Sequence, residues 1–134
     1  RYIKEHKIKN IEFLGFKSGE ELEDIIKGAR FTLIPSIWYD NLPNTALESF
    51  QYSKPVIASN IGSLPELVVD GENGYLFKPA DAEDLIKKIK LLDDDTVVEK
   101  MGAASRRRLE SRFSPETHYE ALMKVFSEAV KNNK

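Results

Sequence analysis

The stretch that most constrains the fold covers residues 31–59, where two short apolar runs flank a segment with helix-start residues. The first run begins at Phe31 and ends at Pro35-Ser36, and the second is Pro55-Val56-Ile57-Ala58-Ser59. Both runs have the length and the β-rich composition of strands. The stretch therefore predicts a strand, a loop, a helix and a second strand, which together form a βαβ crossover.

Two acidic residues lie within this crossover, with seven residues between them. Asp40 falls in the loop after the first strand, and Glu48 falls roughly one turn into the helix. Sites in βαβ units collect at this place, because the loop is exposed and the helix N-terminus offers unpaired N–H groups and a positive dipole. We therefore expect Asp40 and Glu48 to face one anionic ligand whose phosphates rest on the helix start.

The rest of the chain alternates strands and helices in the doubly wound manner, which predicts an α/β, Rossmann-like parallel sheet. The last turns of a polar helix are expected at the start. A capping box at Ser63 to Glu66 is expected to begin a short helix, and Asp81 to cap a longer one. The predicted helices cover residues 1–10, 20–28, 44–52, 63–70, 81–92, 96–111 and 115–130, and the predicted strands cover residues 11–15, 31–34, 55–58 and 74–77.

The last predicted helix carries an apolar stripe. Ser114-Pro115 supplies an N-cap and a first-turn signal for this helix. The stripe is expected to be partly exposed, or paired with another copy of the chain. It consists of Tyr119, Leu122, Met123, Phe126 and Val130.

The amino-acid composition excludes several classes of function. The 134 residues suit one domain, and 41% apolar with 31% charged residues is typical of a soluble globular protein. A formal charge of -2 gives no electrostatic case for nucleic acid. The absence of cysteine excludes disulfides, thiolate metal sites and a cysteine nucleophile, which fits the cytoplasm. No apolar run approaches the roughly 20 residues of a membrane span, and the basic start lacks the apolar segment of a signal peptide.

Several short blocks accompany the two acids. In chain order they are Phe13-Leu14-Gly15, Ile34-Pro35-Ser36, Leu42-Pro43-Asn44-Thr45, Glu48, Lys54-Pro55-Val56-Ile57-Ala58-Ser59, Gly62-Ser63-Leu64-Pro65-Glu66 and Asp70-Gly71-Glu72-Asn73-Gly74-Tyr75-Leu76. Together these blocks resemble the retaining glycosyltransferases of family four (glycosyl transferases group 1), which have the two-domain GT-B fold and a signature of two glutamates separated by seven residues. Asp40 stands in place of the first glutamate. The likeness extends over residues 11–77 and more loosely to residue 113.

The resemblance implies that residues 1–134 are a partial C-terminal nucleotide-sugar-binding domain, without the first strands of that domain and without the N-terminal domain. The full-length protein would transfer a sugar, with retention, from a UDP- or GDP-sugar to a glycan or lipid-linked acceptor, as in polysaccharide biosynthesis. This fragment alone would be inactive. We expect a cytoplasmic location with peripheral association at the inner membrane face. The alternatives are a non-catalytic sugar-nucleotide-binding or interaction module, and a sugar-nucleotide epimerase of the GT-B fold.

The resemblance also implies roles for the two acids. Asp40 would contact the donor sugar near its reacting carbon and offset positive charge in the transition state. Glu48 would accept hydrogen bonds from the ribose hydroxyls. Each acid also has a simpler interpretation: Asp40 as an ordinary turn residue, and Glu48 as the carboxylate of a capping box with Thr45.

Other residues would complete the donor site. Asn41, Leu42, Asn44 and Thr45 would cradle the diphosphate at the helix start, although Asn44 or Thr45 could simply be the N-cap. The loop with Phe16 and Lys17 matches the one that lies along the nucleobase in the family, and as bare residues the two are surface positions.

No metal site or cofactor is expected beyond the donor substrate. His6 and His118 lack partners at ligand spacing, and a solvated loop is the better interpretation of Asp93-Asp94-Asp95. Arg106-Arg107-Arg108 is by default a charged helix face, with anionic lipid headgroups as the alternative.

Overall fold

The computed structural model describes residues 2–132, apart from the side chain of Lys4. It contains one parallel sheet of three strands in the order β1-β2-β3, with helices before, between and after them. The elements in chain order are α1 (Tyr2–Glu5), α2 (Gly19–Gly28), β1 (Thr32–Ile34), α3 (Asn44–Gln51), β2 (Val56–Ser59), α4 (Leu64–Leu67), β3 (Gly74–Phe77), α5 (Ala82–Lys90), α6 (Asp95–Arg112) and α7 (Pro115–Asn132).

The predicted βαβ crossover is confirmed. Strand β1 pairs in parallel with β2, in a register that sets Thr32 opposite Val56, and α3 makes the connection between them. Strand β3 pairs in parallel with the other edge of β2, with Gly74 opposite Val56. All four residues of β2 are buried, as expected for a parallel strand with covered faces.

The core lies on both sides of the sheet. Along β2, Val56 and Ala58 belong to one apolar cluster and Ile57 to the other, because successive side chains of a strand point to opposite faces. The first cluster includes Phe50 of α3 and the second includes Leu92 after α5. Both faces of the sheet are therefore covered, as the predicted Rossmann-like α/β sheet requires.

Three predicted elements differ from the structure. The helix predicted over residues 1–10 ends at Glu5, as α1. Residues 11–15 do not form a strand, because a strand is held by ladder hydrogen bonds and no described segment pairs with these residues. Helix α4 ends at Leu67 instead of near Asp70. The buried side chain of Asn73 binds the Leu67 carbonyl and the Val69 N–H, which holds the chain in a turn.

The apolar stripe of the last helix is exposed, as the sequence predicts. Every residue of α7 is exposed, and the stripe residues range from Leu122 at 40% to Val130 at 65%. Among the helices that the structure describes, none is long and apolar enough to cross a membrane.

Helix α6 approaches the sheet closely at Gly102. A Cβ atom at this position would lie 2.1 Å from the carbonyl oxygen of Ser53, in the loop between α3 and β2. That distance is far below any real contact, so the helix backbone can lie here only because residue 102 has no side chain.

We expect Gly102→Ala to lower the free energy of unfolding by about 1–3 kcal/mol, because α6 must move away from the loop. Urea denaturation measures the change. Gly28→Ala is the matched control, since a Cβ there meets nothing within 4 Å, and it should leave stability unchanged or slightly raised. Equal losses in the two variants would contradict the close packing of α6.

Candidate functional site

The candidate site lies at the carboxyl edge of the sheet. Strand β1 ends at Ile34, and the loop of residues 35–43 leads from it to Asn44, the first residue of α3. Asp40 is exposed in this loop. The structure therefore places Asp40 and Asn44 at the strand ends where parallel sheets bind their ligands.

The main chain of Asp40 is pinned to the start of α4. Ser63 donates two hydrogen bonds to the Asp40 carbonyl oxygen, one from its backbone N–H at 3.3 Å and one from its hydroxyl at 2.9 Å. Gly62 has a φ of +59°, and a Cβ there would lie 3.0 Å from the Asp40 nitrogen. The loop thus packs tightly against residue 62, where a side chain would need the Asp40 backbone to move by a few tenths of an ångström.

The predicted capping box at Ser63 is wrong for the same reason. The Ser63 hydroxyl makes no cap hydrogen bond to α4, because it is turned to the Asp40 carbonyl instead. A short-range pattern was outcompeted here by a partner 23 positions away in the chain.

The start of α3 carries no side-chain cap. Pro43 occupies the N-cap position, and no side-chain hydrogen bond is made there. Asn44 and Thr45 are the first two residues of the helix and are both exposed, so the N-cap interpretation of either residue is wrong, as is the capping box between Thr45 and Glu48. First-turn N–H groups and the helix dipole remain for an anion.

Glu48 lies in a cavity of about 210 Å³ between α2 and α3. It is half-buried, and no hydrogen bond or ion pair of its carboxylate is found within residues 2–132. Gly19, at the start of α2, lines the same cavity. The other lining residues are Leu22, Glu23, Ile26, Gln51 and Tyr52.

A hydrogen bond from Tyr52 and another from Lys27 lower the pKa of the Glu23 carboxyl, which lines this cavity. Glu23 therefore stays ionised at neutral pH. The cavity lining thus contains two glutamates, Glu23 and Glu48, which suits a neutral hydrogen-bond donor such as a sugar hydroxyl better than a phosphate.

A second, larger cavity lies beside the Asp40 loop. It measures about 530 Å³, and Asn41 and Leu42 form one wall. The remaining wall residues are Ser63, Pro65, Glu66, Leu67, Arg108, Arg112 and Phe113. Asn41 and Leu42 thus line one cavity and Glu48 another, and a single cleft shared by Asp40 and Glu48 stays a prediction.

The predicted nucleobase loop is open to solvent. Phe16 is 92% exposed, and Lys17 forms an ion pair with Glu21 at 3.3 Å. Neither residue lines a described cavity wall with Glu48, but Gly19, two positions after Lys17, does. The loop therefore runs to the edge of the Glu48 cavity.

The arginine run is largely used inside the chain. Arg106 donates to the Gln51 carbonyl at 2.7 Å, and Arg108 donates to the Glu66 carbonyl at 2.6 Å. These bonds and the Ser63 contact were not predictable, because their partners are 55, 42 and 23 positions away in the chain. In the sequence, only the positive charge of the run indicated that these arginines would make contacts.

The aspartate triplet has a structural role. Asp94 caps α6 by accepting from the Thr96 N–H at 2.8 Å, and Asp95 forms an ion pair with Arg30. Within residues 2–132, no group of three or more His, Cys, Asp or Glu side chains is arranged to hold a metal ion.

Comparison with known proteins agrees with this architecture. The sequence pattern of the family described as "Glycosyl transferases group 1" matches residues 1–108, so the chain belongs to that family. An uncharacterized glycosyltransferase of Methanocaldococcus jannaschii is 31% identical over 127 residues, which are 95% of this chain and 36% of the relative. The chain thus spans about a third of the length of this curated relative.

Two solved structures share the fold. Sucrose-phosphate synthase from Thermosynechococcus elongatus superposes with a TM-score of 0.84 at 26% identity, covering 98% of this chain and 33% of that one. The C-terminal domain of a group 1 glycosyl transferase, LpcC, from Francisella tularensis gives 0.74 at 25% identity, covering 85% and 60%. The chain therefore has the fold of part of a GT-B C-terminal domain.

We expect Gly62→Ala to displace the Asp40 loop, because the new Cβ meets the Asp40 backbone and a positive φ costs alanine about 1–2 kcal/mol. Backbone amide NMR signals of Asp40 and Ser63 report the displacement. Gly71→Ala is the control: its φ is also positive, at +81°, but nothing lies within 4 Å. Both variants should lose the stability that a positive φ costs alanine, Gly62→Ala should lose somewhat more, and only Gly62→Ala should shift those signals. Unshifted signals would mean that the loop is not pinned at Gly62.

Proposed function

We propose that the chain is the donor-binding part of a retaining glycosyltransferase. The full-length protein would transfer a sugar from a UDP- or GDP-sugar to an acceptor glycan or lipid-linked glycan, without a required metal. The bond between sugar and diphosphate breaks, and a bond to an acceptor hydroxyl forms as that hydroxyl loses its proton. The observation that carries the proposal is the uncapped start of α3 beside the pinned Asp40 loop, in a chain of the group 1 family.

The diphosphate would lie at the start of α3. The N–H groups of Asn44 and Thr45 precede the first intrahelical hydrogen bonds, and the helix dipole favours negative charge at this end. Asn41 and Leu42 would complete the cradle from the loop. The absence of a side-chain cap supports this placement, because a capping oxygen would compete with the phosphate for the same donors.

The nucleoside would extend towards Glu48. Its carboxylate has no partner within the described part of the chain, so it is free to accept hydrogen bonds from the ribose hydroxyls. The base would then lie along the loop that carries Phe16 and Lys17. The exposed Phe16 ring offers a stacking surface, and Lys17 stands two positions before Gly19, which lines the Glu48 cavity.

The donor sugar would lie at Asp40. Its carboxylate is one methylene shorter than the glutamate that the family pattern has here. Because the backbone of Asp40 is fixed by Ser63, the difference in reach has to be taken up by the position of the sugar. An ionised carboxylate at this point offsets positive charge that develops at the reacting carbon.

We expect Glu48→Ala in the full-length protein to weaken donor binding at least tenfold, because hydrogen bonds to a carboxylate contribute about 1.5–3 kcal/mol each. Calorimetric titration with UDP and GDP measures the affinity. Glu99→Ala removes an exposed carboxylate from α6 and is the control, with unchanged affinity expected. If Glu48→Ala bound the donor as tightly as the unaltered protein, Glu48 would have no part in the site.

We expect Asp40→Asn to lower turnover by at least a hundredfold while donor affinity changes little, because the charge acts mainly in the transition state. Asp40→Glu keeps the charge and should retain activity. Steady-state kinetics with circular dichroism as the folding control separate the cases. Full turnover by folded Asp40→Asn would remove the residue from the mechanism and favour a non-catalytic binding module.

A further inference from the structure

The larger cavity, beside the Asp40 loop, has one cationic wall, whose arginines have no part in the proposed donor site. Arg108 and Arg112 are four positions apart on α6, so both side chains lie on one face of the helix. Asn41, next to Asp40 in the chain, forms the facing wall. The cavity is therefore adjacent to the position proposed for the reacting sugar and separate from the cavity of Glu48.

The charge of these two arginines is not neutralised by their surroundings. Within residues 2–132, no ion pair joins Arg108 or Arg112 to a carboxylate, whereas Arg106 on the same helix pairs with Glu110 at 2.6 Å. Arg108 donates to the Glu66 carbonyl through one terminal nitrogen, and its buried Nε has no hydrogen-bond partner among the described residues. Donor capacity is thus left in a buried position.

Phosphate is the anion that this arrangement favours. A guanidinium group presents parallel N–H donors that match the oxygens of a phosphate, and two such groups balance the charge of about -1.5 to -2 of a phosphate monoester. Glu66 also lines the cavity and offsets one positive charge when it is ionised, which leaves a net positive wall. A volume of about 530 Å³ is within the usual range for small-molecule sites, so it can hold a phosphate with an attached group.

We propose that the cavity between α4, α6 and the Asp40 loop binds a phosphate group carried by the acceptor, through Arg108 and Arg112. The assignment to the acceptor rests on the proposed glycosyltransferase function, whereas the anion site itself rests on the cavity alone. An acceptor phosphate held here would set its hydroxyl near the donor sugar at Asp40. The two arginines would then select phosphorylated acceptors over neutral ones.

Arg112→Gln in the full-length protein is the sharpest test. Arg112 makes no described hydrogen bond to the fold, whereas Arg108 supports α4 and its loss could unfold the site. Arg107→Gln is the matched control, because it removes the same charge from another position of α6. Arg107 lines a different cavity, together with Tyr75. Titration with inorganic phosphate at constant ionic strength, followed by the amide NMR signals of Asn41 and Ser63, gives the affinity.

We expect phosphate to shift both signals in the unaltered protein and in Arg107→Gln, with less than a twofold difference in affinity. Arg112→Gln should bind at least fivefold more weakly while circular dichroism shows an unchanged fold. Equal affinity in the two variants, or no phosphate-dependent shift in the unaltered protein, would overturn the proposal. Acetate should bind more weakly than phosphate, and equal binding of acetate would overturn the preference for phosphate.

Titration in the presence of saturating UDP separates this inference from the proposed function. Phosphate binding through Arg112 that persists with UDP bound supports a distinct acceptor site. Displacement of phosphate by UDP would make the cavity part of the donor site and overturn the inference. Phosphate binding without any UDP or GDP binding would refute the proposed function and the acceptor assignment, and would leave an anion site.

A final set of titrations tests whether the bound phosphate belongs to a soluble acceptor or to a lipid acceptor. Glucose 1-phosphate represents a soluble acceptor, and vesicles that contain phosphatidic acid, a phosphate monoester, compared with vesicles of phosphatidylcholine, represent a lipid acceptor. Arg112-dependent binding of either carrier supports the site and identifies the source of the phosphate. Failure of both carriers, with inorganic phosphate bound, would overturn the acceptor assignment.

Discussion

The structure depends on the burial of strand β2 between two parallel neighbours. A parallel neighbour cannot be reached by a tight turn, so each pairing requires a crossover, and α3 and α4 are found in those crossovers. Because all four β2 residues are buried, both faces of the sheet have to be covered. The carboxyl edge is what remains open, and the loop with Asp40 lies there.

Helix ends in this fold are completed by arginines from distant elements. The last carbonyl groups of a helix lack intrahelical partners, and a guanidinium group both bonds to them and complements the negative end of the dipole. Arg30 donates to the carbonyls of Leu92 and Asp93 after α5, Arg106 donates to the end of α3, and Arg108 donates to the last turn of α4. These bonds tie the helices to one another.

Polar side chains serve the candidate site in the same way. Ser63 donates its hydrogen bonds to the Asp40 carbonyl, and the Asp40 side chain itself is exposed. Pro43 provides no side-chain cap for the start of α3. Glu48 likewise keeps its carboxylate free in the described part of the chain. At Asp40, Glu48 and the start of α3, the groups proposed to act on a ligand are therefore ones that no other side chain of the described residues engages.

The sequence by itself determined the parallel βαβ crossover, the alternation of strands and helices, the cap at Asp81 and the family, because these follow from local periodicity and short motifs. Tertiary structure decided which polar groups form hydrogen bonds within the fold and which remain available to a ligand. The Ser63 bond to Asp40 and the closeness of Gly102 to Ser53 each join residues far apart in the chain. The cavity beside Arg108 and Arg112 likewise has Asn41, from a distant loop, as its facing wall. The missing strand at residues 11–15 has the same cause, because a strand exists only when a neighbour supplies its hydrogen bonds.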